Sequence, residues 1–173
     1  LFSDLPYNVA RFWSKKHANT LQKHLNSNEY DLILLEGVYL ALYIEALRSA
    51  SRAPLVLRAH NVEYAIWQRY ADAEVMGPKR LYFNHLAKRG RRFEAQNLPR
   101  FDGVAALTAI DAAHFRELGY SGPIEVLPPG IDLPNTAAPT PADPQSLCFL
   151  GSLEWLPNLQ GLRWFLEEVW PII

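Results

Sequence analysis

The sequence predicts an α/β protein: a doubly wound, mostly parallel sheet followed by one further βα unit. Three observations carry that prediction. Five short apolar runs bounded by Pro, Gly or Asp have the length of buried strands. Four of them lead into stretches with apolar residues at helical spacing, and such alternation implies parallel pairing through crossover connections. The 173 residues are 49% apolar and 20% charged, a globular composition large enough for one domain or one and part of another.

Residues 1–6 read as a lead-in. From 8 to 25, Val9, Phe12, Trp13, Leu21 and Leu25 recur at loosely helical spacing against Arg11, Lys15, Lys16 and Lys23. This predicts an amphipathic helix with Asn8 as its N-cap. After a break at Asn26-Ser27-Asn28, residues 31–37 (DLILLEG) form a compact strand, with a helix from 38 to 50.

Residues 54–64 (PLVLRAHNVEY) repeat that unit and hold the main functional candidate. The apolar run Leu55-Val56-Leu57 stops at Arg58, His60, Asn61 and Glu63, and a helical pattern begins at Val62. Polar groups gathered where a strand ends and a helix begins sit where open α/β sheets bind ligands. At that position His60 either orients or protonates a substrate oxygen, or caps the next helix and satisfies a loop carbonyl. Asn61 suits the N-cap of the following helix and Glu63 its first turn.

Gly77-Pro78 ends that helix, and 79–100 forms a strongly basic one. Lys79, Arg80, Lys88, Arg89, Arg91, Arg92 and Arg100 stand against the single acid Glu94. This is either a solvated face or a surface that meets an anionic membrane or a phosphorylated acceptor. Residues 101–108 (FDGVAALT) and 124–127 are further strands, with a helix at 110–118 between them. Four prolines and few apolar residues make 133–145 a semi-rigid linker. A fresh strand at 146–151 and a helix at 158–170 follow.

Net charge is −1, which gives no general case for nucleic-acid binding. The lone Cys148 cannot form an internal disulfide; its apolar run reads as a buried, inert thiol, which suits a reducing compartment. No apolar stretch approaches the roughly 18 residues of a membrane span, and residues 1–4 lack a secretory pattern. Phosphate-loop, GxGxxG, GxSxG and HExxH patterns are absent, and the five histidines do not fall at metal-ligand spacing. Gly151-Ser152 before a helix start offers backbone N–H groups to an anion.

Three segments together resemble successive landmarks of family 4 (group 1) glycosyltransferases of the GT-B fold. They are LRAHNVEY, the run FDGVAALTAIDAAHF with IEVLPPGID, and LCFLGSLEWLPNLQGLRWFLEEVWP. The likeness is nearest to bacterial sugar transferases of exopolysaccharide assembly. It implies Rossmann-like domains facing a cleft, with the acceptor on the N-terminal side and a nucleotide-sugar donor on the C-terminal side. It also implies retention at the transferred sugar, no cofactor and no essential metal.

By position, the resemblance makes His60 the cleft histidine and catalytic candidate, flanked by Arg58 and Asn61 as substrate-binding residues. Thr108 is the hydroxyl residue at the next strand end, Gly130 and Asp132 the turn before the linker, and Gly151 with Ser152 the turn near the donor diphosphate. Expected domains are 1–132 (acceptor side, lacking its first strand), 133–145 (linker) and 146–173 (first βα unit of the donor domain). Pro157-Asn158 stands where the family has Lys-Gly.

The family's opening glycine-rich loop, its basic pair and its paired glutamates lie outside these residues. The sequence therefore reads as a fragment of a longer enzyme, inactive alone. Its expected setting is cytoplasmic, peripheral at the inner face of the membrane, in cell-surface polysaccharide synthesis with a glycan or lipid-linked acceptor and no nucleic acid. The apolar helix after the linker predicts packing onto the body, or a homodimer through that segment. A noncatalytic interaction or regulatory module of the same ancestry is the alternative.

Overall fold

Strands form where the apolar runs end at residues that stop them. A computed structural model of the chain describes residues 5–132 and 146–173, so the expected linker at 133–145 lies outside the described residues. The chain divides into two units, Leu1–Gly130 and Ile131–Ile173.

In the first unit, β1 (Ile33–Glu36), β2 (Leu55–Ala59), β3 (Gly103–Ala106) and β4 (Ile124–Val126) pair in parallel in the order β1-β2-β3-β4. This is the Rossmann-like α/β sheet read from the sequence. Because neighbours in the sheet follow chain order, the crevice beside His60 is made by the adjacent carboxyl ends of β1 and β2, not by a reversal of strand order. Along β2, Leu55, Leu57 and Ala59 are buried while Val56 and Arg58 are half-buried, the two-residue period of a pleated strand. These buried residues join Leu35, Val104, Ile44, Leu47, Phe93 and Phe115 in one core.

The helix expected at 8–25 is two helices, α1 (Tyr7–Ala10) and α2 (Lys15–Asn26). Asn8 does not cap it. The break is tertiary: the Tyr43 hydroxyl donates to the Phe12 carbonyl at 2.6 Å and accepts from the Ser14 N–H at 2.9 Å. Those two groups are thereby withdrawn from helix pairing. After β1, Gly37 has φ 102°, a left-handed conformation that costs other residues strain. A 3-10 turn (Val38–Tyr43) then enters α3 (Ile44–Ala50).

The helix after β2 is α4 (Glu63–Ala73), with Val62 in the N-cap position and no side-chain cap, so Asn61 does not fill the role expected of it. Pro78 opens α5 (Pro78–Asn97) at a position where its missing N–H costs nothing. At Gly90 the two helices meet closely, since a Cβ there would lie 3.4 Å from the Tyr64 Cβ. Asp102, just before β3, accepts from the Leu55 N–H and from Arg48, both at 2.6 Å, tying β2 and α3 to the next strand. Thr108 caps α6 (Ala109–Glu117).

In the second unit, α7 (Leu156–Trp164) continues through a π turn (Phe165–Val169) into a 3-10 turn (Trp170–Ile172). The strand expected at 146–151 does not form, and Cys148 is exposed instead of buried. A strand needs a neighbour to take its backbone groups, and no described strand of this unit supplies one.

Candidate functional site

The β1–β2 register sets Glu36 opposite Arg58, which brings three polar side chains together at the carboxyl ends of the strands. His60 Nε2 lies 2.6 Å from Glu36 Oε2, and Arg58 Nη1 donates to Glu36 Oε1 at 3.3 Å. The His60 hydrogen bond foremost, with help from Arg58, outweighs burial and holds the Glu36 carboxyl below the usual carboxylate range. An ionised carboxylate only accepts, so Nε2 carries the proton of this bond. Nδ1 is left without a hydrogen bond among the described residues, on a side chain that is 52% exposed. Such an imidazole has one nitrogen oriented by a carboxylate and the other open to a ligand hydroxyl.

Next to this exposed pair lies a half-buried one. Glu63, in the first turn of α4, accepts a hydrogen bond from the Tyr39 hydroxyl. Burial pushes the Glu63 carboxyl up, against the pull of the Tyr39 bond and of nearby His60. Burial, followed by Glu63, likewise raises the Tyr39 hydroxyl. Glu94 of α5 accepts the Tyr64 N–H at 2.7 Å, and burial drives its carboxyl up to about 8.

Thr108 ends the β3 segment on the edge of a cleft of about 550 Å³ between α4 and α6, lined by Tyr64, Gln68, Arg69, Thr108, Asp111 and His114. Its hydroxyl accepts the Asp111 N–H at 3.1 Å and donates to Asp111 Oδ2 at 2.7 Å. Capping the helix therefore uses the group that the sequence offers to a ligand. Asn61 is exposed beside His60.

The remaining candidates belong to the end of the first unit and to the second. Gly130 closes the first unit, and Asp132 belongs to the second; both are exposed and outside regular elements. Gly151 and Ser152 sit in the second unit at the entry to α7. A Cβ on Gly151 would meet the Asn158 side-chain nitrogen at 2.9 Å and the Phe149 ring at 3.0 Å. Asn158 Nδ2 donates to the Ser152 carbonyl at 3.1 Å, so the chain's own amide fills this turn.

Sequence reasoning missed Glu36, Tyr39 and Glu94. For Glu36 a signal existed, since it is the one charged residue between an apolar run and a turn glycine at a strand's carboxyl end. No group of three or more His, Cys, Asp or Glu is arranged to hold a metal ion among the described residues.

Residues 4–134 match the family described as Glycosyltransferase Family 4. No curated protein and no solved structure matches the chain.

Proposed function

The chain belongs to glycosyltransferase family 4, and from that premise we propose that it serves transfer of a sugar from a nucleotide-sugar to a glycan or lipid-linked acceptor. The setting we propose is cell-surface polysaccharide synthesis. The observation that carries the reading is the Glu36–His60 pair at the carboxyl ends of β1 and β2. In such a transfer the acceptor oxygen attacks the anomeric carbon, the bond to the diphosphate oxygen breaks, and the acceptor's proton passes to the departing diphosphate. Glu36 fixes the imidazole through Nε2, and Nδ1 takes a hydrogen bond from a hydroxyl of the bound sugar or acceptor. Holding a reacting group in place in this way is a large part of catalysis. Arg58 and Asn61 flank that point, and charge developing on the leaving diphosphate calls for cations or N–H donors aimed at it.

The proposed setting at an anionic membrane surface has support from α5. Among the described residues no carboxylate pairs with Arg80, Lys88, Arg91 or Arg92, whereas Lys79 pairs with Glu74. At the α4–α5 turn Val75 and Met76 are 87% and 83% exposed, and Leu81 and Tyr82 are exposed beside them. Apolar residues at the tip of a cationic helix suit a headgroup layer. No described helix is long and apolar enough to cross a membrane.

Nucleoside-diphosphate release by the full-length protein, measured against a panel of nucleotide-sugars, tests the reading. Release with one donor, lost in His60→Ala, is the expected result. Silence across the panel from a folded protein refutes it and favours the noncatalytic module.

A further inference from the structure

We propose that Glu94 is a positioning residue for His60: it reaches from α5 to the first turn of α4 and holds the turn that carries the imidazole. This rests on the reading of His60 as a cleft residue and names a further part of the same site.

Helix α4 begins two residues after Asn61 with no side-chain cap of its own. The N–H groups of its first turn therefore need acceptors from elsewhere. Glu94 provides one, since Oε1 takes the Tyr64 N–H at 2.7 Å, thirty residues away in sequence. The Glu63 N–H adds a smaller pull on the same carboxyl. Gly90 marks the close approach: it lies one helical turn before Glu94 on the same face, and a Cβ there would stand in van der Waals contact with the Tyr64 backbone at 3.5 Å. The turn of residues 60–62 is thus held on one side by β2 and on the other by Glu94.

A carboxyl is a costly way to cap a helix in a core, and this one is only 1% exposed. Its second oxygen, Oε2, has neither a partner nor contact with solvent. No cation meets it. The groups facing the cluster are Glu63 on α4, Tyr39 from the 3-10 turn, Arg11 beyond Tyr39, and His60 beyond Glu63. Arg91 lies over the Tyr64 ring, 5.8 Å from its centroid. Ionisation of Glu94 places a buried negative charge beside Glu63, the side chain that already faces His60. Glu94 thereby sets both the position of the turn and the field behind the imidazole.

The test uses full-length protein and two variants, Glu94→Gln and Glu94→Ala. The first readout is the ring nitrogen signals of His60 by NMR between pH 6 and 9.5. In the unaltered protein they show an inflection near pH 8, where Glu94 titrates, and this inflection is absent in Glu94→Gln. Identical titrations in the two proteins overturn the proposal. The second readout is the pH profile of nucleoside-diphosphate release from the donor panel.

There, Glu94→Gln stays within about threefold of the unaltered kcat at pH 7 and loses the alkaline limb, whereas Glu94→Ala loses about tenfold or more in kcat with KM little changed. Should Glu94→Ala not fold, the Glu94→Gln profile decides. Loss of release in His60→Ala with an unchanged Glu94→Gln profile overturns this inference and leaves the functional reading standing. Full release in His60→Ala refutes the functional reading, and the NMR titration then decides the inference alone.

Discussion

Replacing Glu94 by Gln removes the pH dependence that one buried carboxyl imposes on folding. The group titrates near 4.5 when unfolded and about 8 when folded, with burial as the chief cause. Between those values the native state holds a proton that the unfolded chain has released, so stability falls as pH rises. The stabilisation is complete below pH 4.5 and gone above about pH 8. At about 1.4 kcal/mol per pH unit, the span between those two values corresponds to about 5 kcal/mol, a large share of a typical domain's 5–15 kcal/mol.

Urea titrations at pH 5 and pH 9 measure it. With a slope of about 2 kcal/mol/M, the unaltered protein's midpoint falls by about 2 M. Glu63, also raised by burial, contributes in the same direction and remains in both proteins. The Gln variant keeps an acceptor for the Tyr64 N–H and loses most of that dependence. Parallel losses in the two proteins would show that Glu94 is ionised in the native state, and the reasoning would fail.

Other perturbations have equally direct outcomes. Leu57→Ala empties a fully buried site at the centre of β2, and chemical denaturation should register a loss of about 2–5 kcal/mol. Asp102→Ala removes the acceptor shared by the Leu55 N–H and Arg48. With that carboxylate half-exposed, the expected cost is about 1–2 kcal/mol. Although burial raises it, those two donors hold the Asp102 carboxyl below 3.8, so this contribution is present at neutral pH and disappears on acidification through its folded value; an unchanged acid transition in the variant would contradict that. On vesicles, Val75→Asp with Met76→Asp should weaken binding to anionic bilayers about fivefold or more, and zwitterionic vesicles should bind little in either case. Equal binding to both lipids would exclude the membrane reading.

The sheet was legible because each strand is an apolar run stopped by a charge, a glycine or a proline: Glu36-Gly37, Pro54 before Leu55, Asp102 before Gly103. What misled was action at a distance. The break between α1 and α2 is made by Tyr43, some thirty residues downstream, and no local pattern announces it. Residues 146–151 look like a strand by composition, yet pairing decides whether a strand exists. In the site, His60 and Arg58 could be found because they follow an apolar run directly. Glu36 joins them only through the parallel register of β1 and β2. Glu94 was hidden most fully: a lone acid in a basic helix reads as surface, and only the packing of α5 against α4 turns it inward onto the Tyr64 N–H.

The central claim is that Glu36 and His60 act as a unit, and a double-mutant cycle on nucleoside-diphosphate release by the full-length protein tests it most directly. If Glu36 works by orienting His60, then Glu36→Gln and His60→Ala each lower kcat/KM, and the double variant loses little more than His60→Ala alone. Losses that add in full would mean that the two side chains act independently and that the pair is only a surface ion pair.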